Sequence, residues 1–261
     1  MSKTSGMSTP AGFGGLLRQS VDTLASFLAD QTVPAAQRAD IALRLLELGL
    51  GRSDPMPAPS LPTGGSPAPP PPFVLIHDFL APDQHAAVVD IAVSHQGHFE
   101  KSSVTTNVEG YRESHVLHAT AFPALYDMMK AEVTGVLPSV LDRLAHPAFT
   151  VTQVEMQMTA HGDGAFFKVH DDASSPDTQQ RELTYVYYFQ ASQPRGFSGG
   201  ALRLYPTPDG TLDTSRFRDV DPLDNAIIFF NSRTMHEVLP VQVPSGAFQD
   251  SRFTLNGWLH R

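Results

Sequence analysis

Apolar residues change their spacing twice along this chain, and each change marks a boundary. Leu16, Val21, Leu24, Phe27 and Leu28 recur at intervals of three or four, and Ile41, Leu45 and Leu48 do so again beside Ala42 and Leu46. That spacing predicts two amphipathic helices, with Pro34 suited to a first turn and Gly49 and Gly51 closing the pattern. Such a helical hairpin needs a surface to pack against. It reads as a docking or dimerising extension, or as a substrate-recruiting module. Across residues 54–72 the pattern stops, and nine of the chain's 22 prolines gather beside Gly64, Gly65 and Ser66. Few backbone donors and little to bury predict a semi-extended spacer with polyproline II character over 69–72. A proline-rich ligand for a partner domain is the alternative.

The apolar pattern resumes at residue 73. The run FVLIHDFL reads as a buried strand over 73–80, and Pro82 and Asp83 open a helix to about Ser94. Residues 122–144 carry a second helical pattern with an interruption expected at Pro138. After Pro147 the texture turns to short strands separated by turn signals such as Pro208-Asp209-Gly210. In VTQVEMQM, Val151, Gln153, Glu155 and Gln157 alternate with Thr152, Val154, Met156 and Met158. AFFKVHDD, ELTYVYYF, ALRLY, NAIIFF, HEVLPV and RFTLNGWL follow. Seven such segments predict an α+β protein with a mainly β core, a double-stranded β-helix or jelly roll supported by helices on one face. The expected organisation is an N-terminal helical extension (1–53), a Pro-rich linker (54–72) and a barrel domain (73–261).

Composition narrows the chemistry. A chain of 261 residues without cysteine has no disulfides, thiolate zinc sites, iron–sulfur clusters or thiol nucleophiles, so any metal falls to its 11 histidines and its carboxylates. Eighteen Lys and Arg against 27 Asp and Glu give a net charge of −9, a poor basis for binding nucleic acid. The N-terminal stretch lacks the apolar run of a signal peptide, and no window approaches the roughly 18 apolar residues of a membrane span. The expectation is a cytoplasmic protein without membrane or nucleic-acid partners; its oligomeric state stays open.

His170 and Asp172 form a His-x-Asp pair at the end of an apolar run, and on a strand residues i and i+2 share a face. Two ligands do not make a site. His236, which follows the apolar strand NAIIFF and a turn, is the best third. Two histidines and one carboxylate constitute the facial triad of non-haem Fe(II) oxygenases, which leaves coordination positions open. Arg252 and Thr254 share a face of the last strand. A guanidinium fork beside a hydroxyl suits one end of a dicarboxylate such as 2-oxoglutarate; an ordinary surface ion pair is the plainer reading of Arg252.

Residues 73–261 resemble the 2-oxoglutarate/Fe(II)-dependent dioxygenases in their prolyl 4-hydroxylase-like branch. FFKVHDD, ELTYVYYF, the Ser198-Gly199-Gly200-Ala201-Leu202 segment, NAIIFFNSRTMHEVLPV and SRFTLNGWL carry the resemblance. It implies Fe(II) on His170, Asp172 and His236, and the 2-oxoglutarate C5 carboxylate on Arg252 and Thr254. Tyr188 falls where relatives often have a tyrosine on that carboxylate; a packed core tyrosine is the alternative. Many relatives carry a tyrosine where this chain has Ala160 and His161, so His161 reads either as a cosubstrate contact or as a surface loop residue in His-Gly-Asp-Gly. The family's Gly-Gly-Glu-Leu reads Gly-Gly-Ala-Leu here, which departs from prolyl-hydroxylase substrate geometry without touching the iron site.

The implied reaction consumes O₂ and 2-oxoglutarate, releases succinate and CO₂, and hydroxylates a C–H bond of a peptidyl (prolyl-type) or small-molecule substrate, with ascorbate as a candidate reductant. Asp172 favours hydroxylation, because related halogenases lack this carboxylate. A cupin-type dioxygenase independent of 2-oxoglutarate and a non-catalytic binding module are the competing readings, and Arg252 argues against the first. The other eight histidines read as surface or core residues. Arg112 is a conceivable substrate contact and Arg203 an exposed or ion-paired arginine. The polar loop 206–222 reads as a substrate cover or an inert insertion.

Overall fold

The structure is a computed structural model that describes residues 70–102 and 112–261. The helical hairpin expected at 16–48, and all but the end of the expected linker, lie outside the described residues. The described residues fall in one compact unit, Ser66–Arg261.

The unit opens with β1 (Val74–Ile76), α1 (Pro82–Ser94), β2 (Glu100–Lys101), β3 (Arg112–Glu113), β4 (His115–His118) and α2 (Pro123–Leu144). Then come β5 (Gln153–His161), β6 (Phe166–His170), β7 (Arg181–Phe189), β8 (Ser198–Gly199), β9 (Leu202–Tyr205) and β10 (Arg218–Val220). The last four strands are β11 (Ala226–Asn231), β12 (Met235–Val238), β13 (Val241–Gln242) and β14 (Arg252–His260). Seven strands form one sheet in the order β1-β11-β7-β14-β5-β4-β2, five form a second in the order β10-β9-β12-β6-β3, and β13 pairs with β8. The result is the expected mainly β jelly roll with supporting helices.

The strand alternation decides what each face of the large sheet does. On one face Val154, Met156, Met158, Tyr185, Tyr187, Phe253 and Leu255 pack with Val88 and Ala92 of α1 and with Leu125, Met129, Val133, Leu137, Val140 and Leu141 of α2. The opposite face carries polar groups in register. Arg252 stands opposite His161, Thr254 between Thr159 and Tyr188, Asn256 between Gln157 and Val186, and Trp258 between Glu155 and Thr184. The alternation of Gln153, Glu155 and Gln157 with Val154, Met156 and Met158 is this division of faces written in the sequence.

Two sequence expectations need correction. Helix α2 is not interrupted at Pro138 but runs through it. Proline in a helix interior costs about 3 kcal/mol relative to alanine. Pro138 is on the exposed side of α2, and six buried apolar residues of this helix, each contributing about 1.5–3 kcal/mol, outweigh that loss. The strand expected over 73–80 is only β1. Asp78 adopts a left-handed conformation, φ 48°, and Leu80 is bonded at both its N–H and C=O to the side chain of Asn225, at 3.0 and 2.9 Å. The polar loop after β9 is partly a hairpin: β10 folds back on β9, and Arg203 meets Asp219 across it at 2.7 Å.

Candidate active site

The two histidines are brought together by the β ladder. His236 of β12 is the cross-strand partner of His170 of β6, and their ring centroids are 4.2 Å apart. Asp172 lies past the end of β6 rather than on it, which corrects the i, i+2 strand argument. Its position is fixed by its own N–H, which bonds the Ser232 carbonyl at 2.8 Å, and by the Thr184 hydroxyl, which donates to Oδ2 at 2.7 Å. Asp172 Oδ1 is 3.8 Å from His170 Nε2, and Oδ2 is 3.5 Å from His236 Nε2. Among the described residues these three form the one group of side chains placed to share a metal ion, with ligand atoms within 4.8 Å of one another.

The imidazole hydrogen bonds turn both Nε2 atoms toward Asp172. His170 Nδ1 is 2.7 Å from the Lys168 carbonyl and His236 Nδ1 is 2.8 Å from the Thr234 carbonyl. A carbonyl only accepts, so each Nδ1 carries a proton, which leaves Nε2 of each ring as the atom facing Asp172 and available to a metal. Burial, reinforced by His236, pushes His170 down to about 3. Burial works against an ionised Asp172, yet His236, His170, the Thr184 hydroxyl and the Trp258 indole outweigh it and hold its carboxyl below the usual range. Two imidazole Nε2 atoms and a carboxylate converging within 4.8 Å suit a divalent metal. The set of imidazole and carboxylate donors fits Fe(II).

The triad opens into a small cavity of about 60 Å³. Arg112, Gln157, His161, Arg252, Asn256 and Trp258 supply its polar wall, and Phe167, Val186, Leu202 and Val238 its apolar wall. Arg252 is 1% exposed, so the surface ion-pair reading fails, and among the described residues no carboxylate lies within ion-pair distance of it. Its Nε, both ring nitrogens of His161, Thr254 Oγ1 and the Tyr188 hydroxyl are buried without a hydrogen-bond partner. Burial lowers Arg252, an effect Tyr188 partly offsets, and pushes the Tyr188 hydroxyl up to about 12. His161 is not a surface loop residue but the last residue of β5, 3% exposed. Burial first, then Arg252 and Arg112, keep its ring neutral. A cluster of orphaned donors around a buried guanidinium fits a carboxylate with several acceptor lone pairs.

Of the residues expected from sequence, the triad, Arg252 and His161 line the cavity. Thr254 and Tyr188 share their sheet face but are not part of its wall, and Tyr188 has the Arg252 guanidinium carbon 5.2 Å over its ring. Sequence reading did not reach Gln157, Phe167, Asn256 or Trp258 as site residues. Continuing the i, i+2 alternation from Arg252 and Thr254 along β14 finds Asn256 and Trp258.

This fold and site define a class. Residues 156–260 match a family model described as the 2OG-Fe(II) oxygenase superfamily. More particularly, the chain is 41% identical over 189 residues to an uncharacterised PKHD-type hydroxylase of Synechocystis sp., an alignment covering 71% of this chain and 62% of that protein. The chain therefore spans less than two thirds of that curated relative. Among solved structures it resembles a Pseudomonas putida prolyl-4-hydroxylase, with a TM-score of 0.52, 21% identity, and coverage of 72% of this chain and 92% of that one. It also resembles a Trichoplax adhaerens prolyl hydroxylase in complex with a hypoxia inducible factor oxygen degradation domain peptide fragment. There the TM-score is 0.53 at 20% identity, covering 72% of this chain and 83% of the other. At such identities these two likenesses speak to fold. No helix among the described residues is long and apolar enough to cross a membrane.

Proposed function

We propose that this chain is an Fe(II)- and 2-oxoglutarate-dependent dioxygenase that hydroxylates a C–H bond of a peptidyl (prolyl-type) or small-molecule substrate, with succinate and CO₂ as co-products. One observation carries the reading: the His170–Asp172–His236 cluster, placed to share a metal ion, shares a cavity with a buried guanidinium that has no carboxylate partner among the described residues. A divalent metal together with a dicarboxylate would compensate both sets of buried groups.

On this reading His170 and His236 hold Fe(II) through Nε2 and Asp172 holds it through its carboxylate. Arg252 receives the C5 carboxylate of 2-oxoglutarate, with His161, Thr254 and Tyr188 around it. The bound iron with 2-oxoglutarate and O₂ supplies oxidative decarboxylation coupled to C–H oxidation. The chain's own residues do the positioning. The Lys168 and Thr234 carbonyls fix both imidazole tautomers, and the Thr184 hydroxyl orients Asp172. Val186, Leu202, Val238 and Phe167 keep water from much of the cavity, which strengthens every charge interaction inside it. The proposed catalytic domain spans 73–261, preceded by the linker 54–72 and the extension 1–53.

The test is anaerobic titration with Fe(II) and 2-oxoglutarate. A visible metal-to-ligand absorbance band requiring both components is expected. A band with Fe(II) alone, or none with both, refutes the reading.

A further inference from the structure

Arg112 is not used by this mechanism, yet it lines the same cavity as the triad. It sits on the two-residue strand β3, whose Arg112 pairs with Phe167 of β6, the strand that ends in His170. The Arg112 guanidinium carbon lies 4.8 Å over the Phe167 ring, and that ring stacks on His170 with centroids 3.6 Å apart. A single hydrogen bond, from Arg112 Nε to Ser114 Oγ at 2.8 Å, fixes the inner edge of the guanidinium. Among the described residues its Nη atoms have no partner and no carboxylate is within ion-pair distance; neighbouring Glu113 is engaged by Lys101 at 3.0 Å. Burial lowers Arg112 to about 10, opposed by the attraction of Asp172.

Charge bookkeeping makes this arginine conspicuous. An anionic Asp172, a divalent metal, a dicarboxylate and Arg252 sum to a neutral site before Arg112 is counted, with His161 neutral. Metal binding also takes over the Asp172 charge, the main electrostatic support Arg112 has. A half-buried guanidinium held on its Nε edge then presents an outer fork unpaired among the described residues, and that fork matches a carboxylate.

We propose that Arg112 is a substrate-binding residue that receives a carboxylate of the primary substrate, on the triad side of the cavity and apart from the Arg252 anchor. The proposal rests on the dioxygenase reading above. It narrows the substrate class to molecules or peptides with a free carboxylate near the C–H bond to be oxidised.

The chain's one tryptophan, Trp258, lines the cavity and reports binding without turnover. The full chain is loaded with Mn(II) and saturating 2-oxoglutarate, then titrated with N-acetylglycine and with its neutral counterpart N-acetylglycinamide while Trp258 fluorescence is followed. Wild type should prefer the carboxylate about tenfold or more, as a charge-assisted contact requires. Arg112→Gln should abolish that preference while 2-oxoglutarate affinity stays within about twofold, and Arg112→Lys, which keeps the charge, should retain part of it. No preference in wild type, a preference that survives in Arg112→Gln, or a fall in that variant's 2-oxoglutarate affinity would overturn the proposal. Failure of Mn(II)-loaded wild type to bind 2-oxoglutarate at all would instead overturn the dioxygenase reading, and this inference with it.

Discussion

Thr184→Val isolates one contact behind the proposed metal site. Thr184 is 2% exposed on β7, and its hydroxyl donates to Asp172 Oδ2 at 2.7 Å while lying 3.1 Å from Ser232 Oγ. Valine has nearly the same shape, so the substitution removes a donor without opening a cavity. A hydrogen bond to a charged group contributes about 1.5–3 kcal/mol. At about 1.4 kcal/mol per factor of ten, its loss should weaken metal binding by roughly ten- to a hundredfold, the scale seen when a contact behind a metal ligand is removed. The effect should be specific, because the Thr184 hydroxyl bonds Asp172 and Ser232, not Arg252.

Titration of wild type, Thr184→Val and Thr184→Ser with Mn(II), read by Trp258 quenching, measures it. Thr184→Ser keeps the hydroxyl and should recover most of the affinity, which separates the hydrogen bond from general packing. With metal saturating, 2-oxoglutarate affinity should be unchanged in all three. Equal metal affinity in wild type and Thr184→Val, or equal loss in the Val and Ser variants, would refute the argument that this hydroxyl orients Asp172.

Three more outcomes are expected. Gly200 has φ 68°, and a Cβ there would stand 2.5 Å from Arg252 Cδ and 2.9 Å from Val241 Cγ2; Gly200→Ala should therefore displace Arg252 and weaken 2-oxoglutarate binding about tenfold in calorimetry, with metal affinity unmoved. His161 stays neutral in the fold well below 6.5, whereas the unfolded chain takes up that proton near 6.5, so its contribution to stability is full above that pH and lost as pH falls below it. His161→Gln should flatten the acid limb of metal-free stability by about 1.4 kcal/mol per pH unit between pH 6 and 5 in denaturant titrations, and an unchanged slope would contradict the burial argument. Pro138→Ala restores a backbone donor on the exposed side of α2 and should stabilise by about 1–2 kcal/mol after the entropy gained by the unfolded chain is subtracted, visible as a higher Tm with unaltered metal binding.

What the sequence reveals is what periodicity encodes. β5, β7 and β14 are nine residues each, long enough for alternation to assign every side chain to a face, and Arg252 and Thr254 follow directly. His170 and His236 are legible because each sits in or beside an apolar strand. Asp172 is legible as a candidate ligand but not as a bend residue, because its placement depends on Ser232 and Thr184, distant in the sequence. β3 has two residues and no period, so nothing local places Arg112 over Phe167. His161 is disguised by the Gly162-Asp163-Gly164 turn that follows it. Extending the Gln153–Glu155–Gln157 alternation through Thr159 places it inside. Pro138 misleads because a local rule ignores the six buried residues that hold its helix straight.

The large sheet separates stability from chemistry by face. Its helix side holds the larger apolar core, so the inner face, with its smaller cluster of Val186, Leu202, Ile228 and Phe230, has room for a polar patch. That freedom lets the inner face hold His161, Thr254, Tyr188 and the Arg252 Nε without partners, an arrangement costing about 1–3 kcal/mol for each unsatisfied polar group. A ligand that satisfies them recovers part of that cost, so binding raises stability as well as filling the site. A neutral molecule of the same size would still leave a buried guanidinium unpaired. On the proposed reading, selectivity for a dicarboxylate over its amides arises in the strand alternation itself, because the register that buries Phe253 and Leu255 against the helices is the one that aims Arg252 and Thr254 inward.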